Sequence, residues 1–130
     1  MPYTYRRDDA RRRLTITITG PLKIEEILES MDQQAADGRW NHAVLYNALA
    51  RRGAAKTEGI RALVDHALSL SRAHGTRGPV AVVTNEPAQF GMGRVYGALI
   101  DTPGGSPFGV FMTVESAEKW LDEQQAPPGG

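Results

Sequence analysis

The sequence predicts one α/β domain with a mostly parallel sheet and an antiparallel hairpin at its amino-terminal edge, in the order β-β-α-β-α-β-α-β-α. Short apolar runs of strand length alternate with amphipathic helical segments, as in right-handed crossovers between parallel strands. The first two strands are joined by a short polar turn, which predicts the hairpin. A chain of 130 residues without a repeat or linker is the size of one domain. We assign residues 1–124 to this domain and residues 125–130 to a disordered tail.

The amino-terminal elements are a hairpin and a helix. A strand from Tyr3 to Arg6 is followed by the turn RRDDARR and by the strand LTITITG, in which apolar residues alternate with threonines. Gly20 and Pro21 end this strand. The first helix is predicted from apolar residues at helical spacing, namely Ile24, Ile27, Leu28 and Met31, and should end at Asp37 and Gly38.

The remaining elements alternate strand and helix. HAVLYNA (42–48) has the length of a strand. A second helix follows and should end at His74 and Gly75. Its apolar face is formed by Ile60, Leu63, Val64, Ala67, Leu68 and Ser71. PVAVVTN (79–85) is the most continuous apolar run and predicts a strand covered on both sides. A third helix, the loop TPGGSP, the strand FGVFMT and the helix VESAEKWLDEQQ follow.

Composition excludes several classes of function. Fifteen basic and fifteen acidic residues give no net positive charge, so no nucleic-acid partner is expected. Five arginines near the amino end, at 6, 7 and 11–13, are interpreted as a solvated hairpin. The absence of cysteine and of paired histidine spacing predicts no metal site, and we expect no cofactor. No apolar run has the length of a membrane span and no signal peptide is apparent, which favours a cytoplasmic protein.

The segment VVTNEPAQFGMGRVYGALID (82–101) has the glycine pattern G-x-G-x-x-x-G, which raises the question of a phosphate-binding loop. A dinucleotide site places its first glycine directly after the strand, whereas here six residues intervene. Asn85 or Glu86 is a better N-cap, with Pro87 at the first helical position. Gly93 and Gly97 then share one flank of a helix. Interior glycines there indicate close approach by a neighbouring element, a subunit or a ligand, and we favour structural contact.

The hairpin, the first helix and the segments YNALARRGAAKTEGIRALV and VVTNEPAQFGMGRVYGALI together resemble the STAS superfamily, specifically bacterial SpoIIAA-like (STAS/SEC14-type) domains, over nearly the whole chain. The pattern D-P-x-x-F-G-M-x-R-x-Y carries much of this resemblance, here as Asn85, Glu86, Pro87, Phe90, Gly91, Met92, Arg94 and Tyr96. The resemblance implies a single-domain SpoIIAA-like sandwich.

The resemblance also implies a non-enzymatic protein-interaction or regulatory module. Anti-sigma factor antagonists of the superfamily open the second helix with D-S-[ST]-G, whose first hydroxyl residue is a phosphorylation switch. The matching stretch here is KTEG, which makes Thr57 the phosphoacceptor candidate and Gly59 the matching glycine. Lys56 and Glu58 depart from the pattern, so an N-cap role for Thr57 is the preferred interpretation.

The alternative function is binding of an apolar small molecule or lipid, or peripheral contact with a membrane. A pocket near the third helix would use Arg94 as a polar anchor and the loop from Gly104 to Phe108 as a lid, with aromatic and apolar candidates Trp40, Phe90, Met92, Phe108 and Phe111. An enzyme is disfavoured because no nucleophile, base and carboxylate converge. The protein is a monomer or homodimer, and an edge strand of Thr15, Thr17 and Thr19 is the candidate for pairing with a second copy.

Overall fold

The computed structural model describes residues 3–20, 23–50 and 57–126, and the side chains of Thr57 and Glu58 lie outside this set. Five strands and four helices occur in the predicted order. The strands are β1 (Tyr3–Asp8), β2 (Arg13–Ile18), β3 (Ala43–Asn47), β4 (Val80–Val83) and β5 (Phe108–Phe111). The helices are α1 (Ile24–Ala36), α2 (Thr57–His74), α3 (Pro87–Ile100) and α4 (Val114–Gln125). The predicted tail boundary at residue 124 therefore falls inside α4.

The strands form one sheet in the order β1-β2-β3-β4-β5. β1 and β2 are antiparallel, and the other neighbouring pairs are parallel. The mixed sheet and the antiparallel edge hairpin are thus confirmed. The threonine strand, however, is not an edge: β2 pairs with β1 on one side and with β3 on the other. Pairing of Thr15 and Thr17 with a second copy was therefore a wrong prediction, because hairpin and crossover strands occupy both edges of β2.

Helices cover the sheet unequally. When successive parallel strands are added on the same side of the sheet through right-handed crossovers, the connecting helices all lie on one face of the sheet. Accordingly, α1, α2 and α3 pack together on the face formed by residues such as Ile16, Tyr46 and Val80. α4 covers the opposite face through Ala117 and Leu121. β4 is therefore covered on both sides, as its continuous apolar sequence predicts.

The basic hairpin is not simply solvated. Arg13 is 3% exposed, and its Nη2 donates to Asp122 Oδ1 at 2.7 Å and to Gln125 Oε1 at 2.7 Å on α4. Arg7 Nη1 lies 3.1 Å from Asp37 Oδ1 at the end of α1. The prediction of a solvated hairpin was wrong for Arg13, which is buried because polar side chains of the distant helix α4 meet it, a contact that local sequence does not reveal. Arg7 is exposed, as predicted, and forms its ion pair at the surface.

Helix ends follow their capping residues. Gly38, two residues after the end of α1, and Gly75, directly after α2, take positive φ values of 72° and 91°, the left-handed conformation that glycine adopts without steric cost. Glu86 is the N-cap of α3 and Pro87 its first residue, as predicted. None of the helices in the described ranges combines the length and hydropathy needed to span a bilayer.

Candidate functional site

A cavity of about 120 Å³, partly open to the surface, lies between the sheet and helices α1–α3. It extends from Val80 and Phe108, at the amino ends of β4 and β5, to Ala48, which follows the carboxyl end of β3. Its wall is almost entirely apolar. The lining residues are Ile18, Ile27, Met31, Tyr46, Ala48, Ile60, Leu63, Arg77, Val80, Val82, Gln89, Met92, Gly93, Tyr96 and Phe108. The arrangement suits a small molecule that is largely apolar.

One charged side chain, that of Arg77, lines this cavity and is 3% exposed. Its Nε donates to Gln34 Oε1 at 3.0 Å, and its Nη2 donates to the Tyr46 hydroxyl at 3.1 Å. The guanidinium carbon lies 4.7 Å from the centre of the Trp40 ring. All three partners are neutral, although a buried guanidinium is ordinarily paired with a carboxylate. The positive charge at this end of the cavity is therefore uncompensated by the described residues.

A directed chain of hydrogen bonds holds Tyr46 beside Arg77. The Ser30 hydroxyl lies 2.7 Å from the Ile27 carbonyl and 3.0 Å from the Tyr46 hydroxyl. Because Ser30 donates its single proton to the carbonyl, Tyr46 donates to Ser30 and accepts from Arg77. The hydrogen-bonding capacity of Tyr46 is therefore used within the protein.

Tyr96 presents the opposite case. Its side chain comes from α3, its ring packs 4.7 Å from that of Phe108, and it lines the cavity with 6% of its surface exposed. Its hydroxyl is buried and makes no hydrogen bond of full geometry with a described residue. Burial raises the pKa of this hydroxyl, while the charge of the Arg77 guanidinium and its hydrogen-bonding approach to the hydroxyl act in the opposite direction, so the hydroxyl keeps its proton at pH 7.

Backbone geometry in the short α2–β4 loop places Arg77 below the sheet face. Gly75 ends α2, and Gly78 then passes directly against the start of β3, donating its N–H to the Trp40 carbonyl at 3.1 Å. A Cβ at Gly78 would collide with the backbone carbonyl of His42. The two glycines thus allow the loop to bring Arg77 onto the Trp40 ring.

The opposite end of the cavity is organised by the start of α3. Thr84 Oγ1 donates to Gln89 Oε1 at 2.9 Å and accepts from the Glu86 N–H at 3.3 Å. Gln89 Nε2 donates to Glu86 Oε2 at 3.2 Å. Both polar ends of Gln89 are therefore occupied, which leaves an apolar environment around its neighbour Met92 in the lining.

Two of the three glycines of α3, Gly93 and Gly97, face β5 from inside the helix. A Cβ on Gly93 would lie 2.7 Å from Val110 Cγ2, and one on Gly97 would lie 3.0 Å from Phe108 Cδ1. Gly91, by contrast, faces open space. Close helix–strand contact thus explains Gly93 and Gly97. Val95 is 40% exposed on the same helix.

The predicted pocket residues separate into two groups. Met92, Gly93 and Phe108 line the cavity, and Trp40 supports Arg77 from outside the lining. Phe90 and Arg94 lie apart from it on α3, where the exposed Arg94 guanidinium sits 5.2 Å from the Phe90 ring. Phe111 packs on the other face of the sheet, 5.5 Å from Trp120. The structure therefore assigns the polar position in this cavity to Arg77 rather than to Arg94.

The predicted switch segment is described only in part. α2 begins at Thr57, and Gly59 is half-buried in its first turn. Lys56 and the side chain of Thr57 lie outside the described residues, and phosphorylation of Thr57 stays a prediction. The expected lid is tied to the sheet at its end, because the Pro107 carbonyl accepts from the Val80 N–H at 2.9 Å and Ser106 is buried.

Sequence reasoning missed the polar part of the site. Arg77 lies in T-R-G-P, where an arginine before a turn is typical of a solvent-exposed loop. Gln34, likewise, occupies the last turns of an amphipathic helix and is fully buried. The only local signal was Gly-Pro directly after Arg77, which indicates restricted backbone but not the burial of its neighbour.

Reactive groups elsewhere do not join this site. His66 Nε2 lies 2.7 Å from Asp32 Oδ1 on the outer surface of α1 and α2. Across the described ranges, no group of three or more histidine, aspartate and glutamate side chains is arranged to hold a metal ion.

Solved structures that share the fold include an anti-sigma factor antagonist and a protein of the DUF3478 family. An anti-sigma factor antagonist from Mycobacterium paratuberculosis matches with a TM-score of 0.60 and 14% identity, covering 92% of each chain. An uncharacterized protein of the DUF3478 family with a SpoIIAA-like fold, from Shewanella loihica, matches with a TM-score of 0.57 and 21% identity, covering 92% of this chain and 91% of the other. No family model matches the chain, and no curated protein matches it. The domain therefore has a SpoIIAA-like fold.

Proposed function

We propose that the protein is a non-enzymatic regulatory module of STAS type that binds a small, largely apolar molecule in the cavity beneath helices α1–α3. The observation that carries this proposal is the cavity itself. A well-packed core leaves few voids larger than a water molecule, whereas this one has about 120 Å³ and is partly open to the surface. An apolar void of similar size, about 150 Å³, stays dry and takes up benzene in a well-characterised engineered protein.

The composition of the wall supports an apolar ligand. Side chains of α1, α2 and α3, such as Met31, Leu63 and Met92, face strand residues such as Val82 across the cavity. Away from Arg77 and Tyr96, water in this space would find few hydrogen-bonding groups, since the polar ends of Tyr46 and Gln89 are engaged within the protein. Occupation by a ligand would also link three helices at once, which gives binding a route to alter the helical surface.

The experiment is ligand extraction with a matched pair of variants. Native protein is purified, its intact mass is compared before and after denaturation, and the released material is identified by mass spectrometry. Val82→Phe fills the cavity from β4, whereas Val95→Phe makes the same change on the exposed side of α3. We expect an apolar or amphipathic molecule from the wild type and from Val95→Phe, and none from Val82→Phe.

The empty wild-type protein is then titrated with 1-hexanol and followed by ¹H–¹⁵N NMR. Saturable shifts at cavity residues that disappear in Val82→Phe support the proposal. Absence of any co-purifying molecule together with absence of saturable hexanol binding contradicts it. Thermal unfolding of both variants ensures that the loss of binding is not loss of the fold.

A second candidate is a protein-interaction module controlled at Thr57. The fold shared with an anti-sigma factor antagonist favours it, as does the position of Thr57 at the start of α2, where a phosphate would meet the positive end of the helix dipole. Incubation with ATP in bacterial cell extract should add one phosphate mass to the wild type and to Thr102→Ala, but none to Thr57→Ala. Equal labelling of all three proteins would contradict the assignment.

A further inference from the structure

We propose that the ligand of the cavity is a small monocarboxylate with an apolar tail, whose carboxylate is bound by Arg77 and Tyr96. This inference rests on the proposed function and adds the chemical class of the ligand. It follows from three properties of the site: a buried charge without a counter-charge, two unused donors, and an apolar space beside them.

The first argument concerns charge. Arg77 is 3% exposed, and its described partners, Gln34, Tyr46 and Trp40, are all neutral. Transfer of an ion into a protein interior costs several kcal/mol unless an opposite charge compensates it. An anionic ligand would provide that compensation, while a cationic ligand would be repelled.

The backbone of α2 separates Arg77 from the one acidic residue whose side chain lies outside the described set. That residue is Glu58, because the other undescribed positions contain no aspartate or glutamate. Residue 58 lies in the first turn of α2, and Arg77 lies three residues beyond the last residue of that helix, His74. Between residues 58 and 74 the helix rises by about 24 Å, at about 1.5 Å per residue.

The second argument counts donors. Nε and Nη2 of Arg77 are bound to Gln34 and Tyr46, so Nη1 is the remaining nitrogen of the guanidinium. Tyr96 adds a buried hydroxyl that lies beside the Arg77 guanidinium and whose proton has no acceptor among the described residues. A carboxylate has two acceptor oxygens, and one guanidinium nitrogen with one hydroxyl supplies a donor for each. A phosphate monoester, with three terminal oxygens and up to two charges, would leave acceptors unsatisfied in this apolar environment.

The third argument concerns position and size. Arg77 and Tyr96 both line the cavity, and apolar residues such as Val82, Met92 and Phe108 form the wall beside them. A molecule with its carboxylate at Arg77 can therefore place its tail along the sheet face toward Ala48. The volume of about 120 Å³ is comparable to the cavity of about 150 Å³ that accepts the six carbons of benzene. Six-carbon probes are therefore appropriate.

The test compares three probes that differ only in their head groups: hexanoate, 1-hexanol and hexylamine. Each is titrated into the full-length protein at pH 7, and the dissociation constant is obtained from ¹H–¹⁵N NMR shifts. We expect hexanoate to bind at least about tenfold more tightly than hexanol, as one charge-assisted hydrogen bond in a buried site provides. Hexylamine should bind more weakly than hexanol.

Two arginine variants separate a specific site from general attraction of anions. Arg77→Met retains side-chain volume and removes the charge, so hexanoate should lose about 10-fold to 100-fold in affinity while hexanol changes little. Arg94→Met makes the same substitution on the exposed side of α3 and should leave both affinities unchanged. Tyr96→Phe removes only the hydroxyl and should weaken hexanoate about twofold to tenfold.

The outcomes distinguish the two proposals. Hexanol binding that equals hexanoate binding, or Arg77→Met with unchanged hexanoate affinity, overturns the monocarboxylate assignment and leaves the apolar site intact. Failure of all three probes to bind the wild type overturns both. If Arg77→Met fails to fold, the head-group comparison in the wild type and the Tyr96→Phe variant still decide the question.

Discussion

Alanine substitutions at two glycines of α3 should change stability in opposite directions. Gly91 faces open space, so Gly91→Ala should raise the free energy of unfolding by about 0.5–1 kcal/mol, the helix-propensity difference between the two residues. Gly93→Ala gains the same amount from propensity. Its new Cβ, however, would lie 2.7 Å from Val110 Cγ2, where real Cβ atoms essentially never approach.

The steric cost at Gly93 follows from this distance. Carbon atoms reach optimal separation at about 3.5 Å, so α3 and β5 would have to separate by several tenths of an ångström, or Val110 would have to leave its rotamer. Overpacking of this kind costs about 1–3 kcal/mol. After subtraction of the propensity gain, Gly93→Ala should destabilise the protein by about 1 kcal/mol, and by up to about 2 kcal/mol.

Chemical denaturation at equilibrium measures these differences, provided that the unfolding transition is two-state. The decisive experiment is a double-mutant cycle. Val110→Ala removes the two methyl groups that the new Cβ would meet, so Gly93→Ala combined with Val110→Ala should be more stable than the sum of the single effects by about 1 kcal/mol or more. If Gly93→Ala stabilises the protein as much as Gly91→Ala does, the close contact between α3 and β5 is wrong.

Three further predictions concern buried polar groups and capping. Gln34→Met should lower the free energy of unfolding by about 3 kcal/mol in urea denaturation. The substitution removes the oxygen that accepts from Arg77 Nε and the amide that donates to the carbonyls of Arg39 and Trp40 at 3.0 and 3.2 Å. A change under about 1 kcal/mol would contradict this role. Thr113→Ala should cost about 1 kcal/mol, measured in the same way, since its hydroxyl accepts the Ser116 N–H at the start of α4; an unchanged unfolding midpoint would argue against the cap. The hydrogen bond from Arg13 holds the pKa of Asp122 below its usual 3.8. The stability that this carboxylate contributes is therefore present above pH 4 and is lost as the pH falls below it. Asp122→Asn should reduce the loss of stability between pH 5 and pH 2, and an identical loss in the variant would show that other groups cause it.

The fold was predictable because its signals are local and repeat along the chain. Helix α1 shows its apolar stripe and its Gly38 terminus in consecutive residues, and α3 shows its start in Glu86-Pro87. Even the interior glycines of α3 indicated a close neighbour. What the residues of α3 did not indicate was which element approaches, because β5 follows later in the chain.

The polar part of the site was not predictable because its residues meet only in the folded chain. Gln34, Tyr46 and Arg77 come from a helix, a strand and a loop, and no spacing between them is fixed by local structure. Arg94 was the natural anchor in the sequence because it belongs to the family-like pattern around Phe90. Its exposure on α3 shows that the pattern marks a helix rather than the charged position of the cavity.

Two departures from ordinary stability rules meet in one cavity, while three other buried polar atoms without a described partner, Arg13 Nη1, Glu26 Oε2 and His42 Nδ1, do not line it. Arg77 carries a buried charge without a described carboxylate, and Tyr96 buries a hydroxyl whose proton has no described acceptor. An unsatisfied buried polar group costs about 1–3 kcal/mol. Natural sequences violate such rules mainly at functional sites. Because a carboxylate with an apolar tail would satisfy the charge, the hydroxyl and the void together, one ligand accounts for departures that would otherwise need separate explanations.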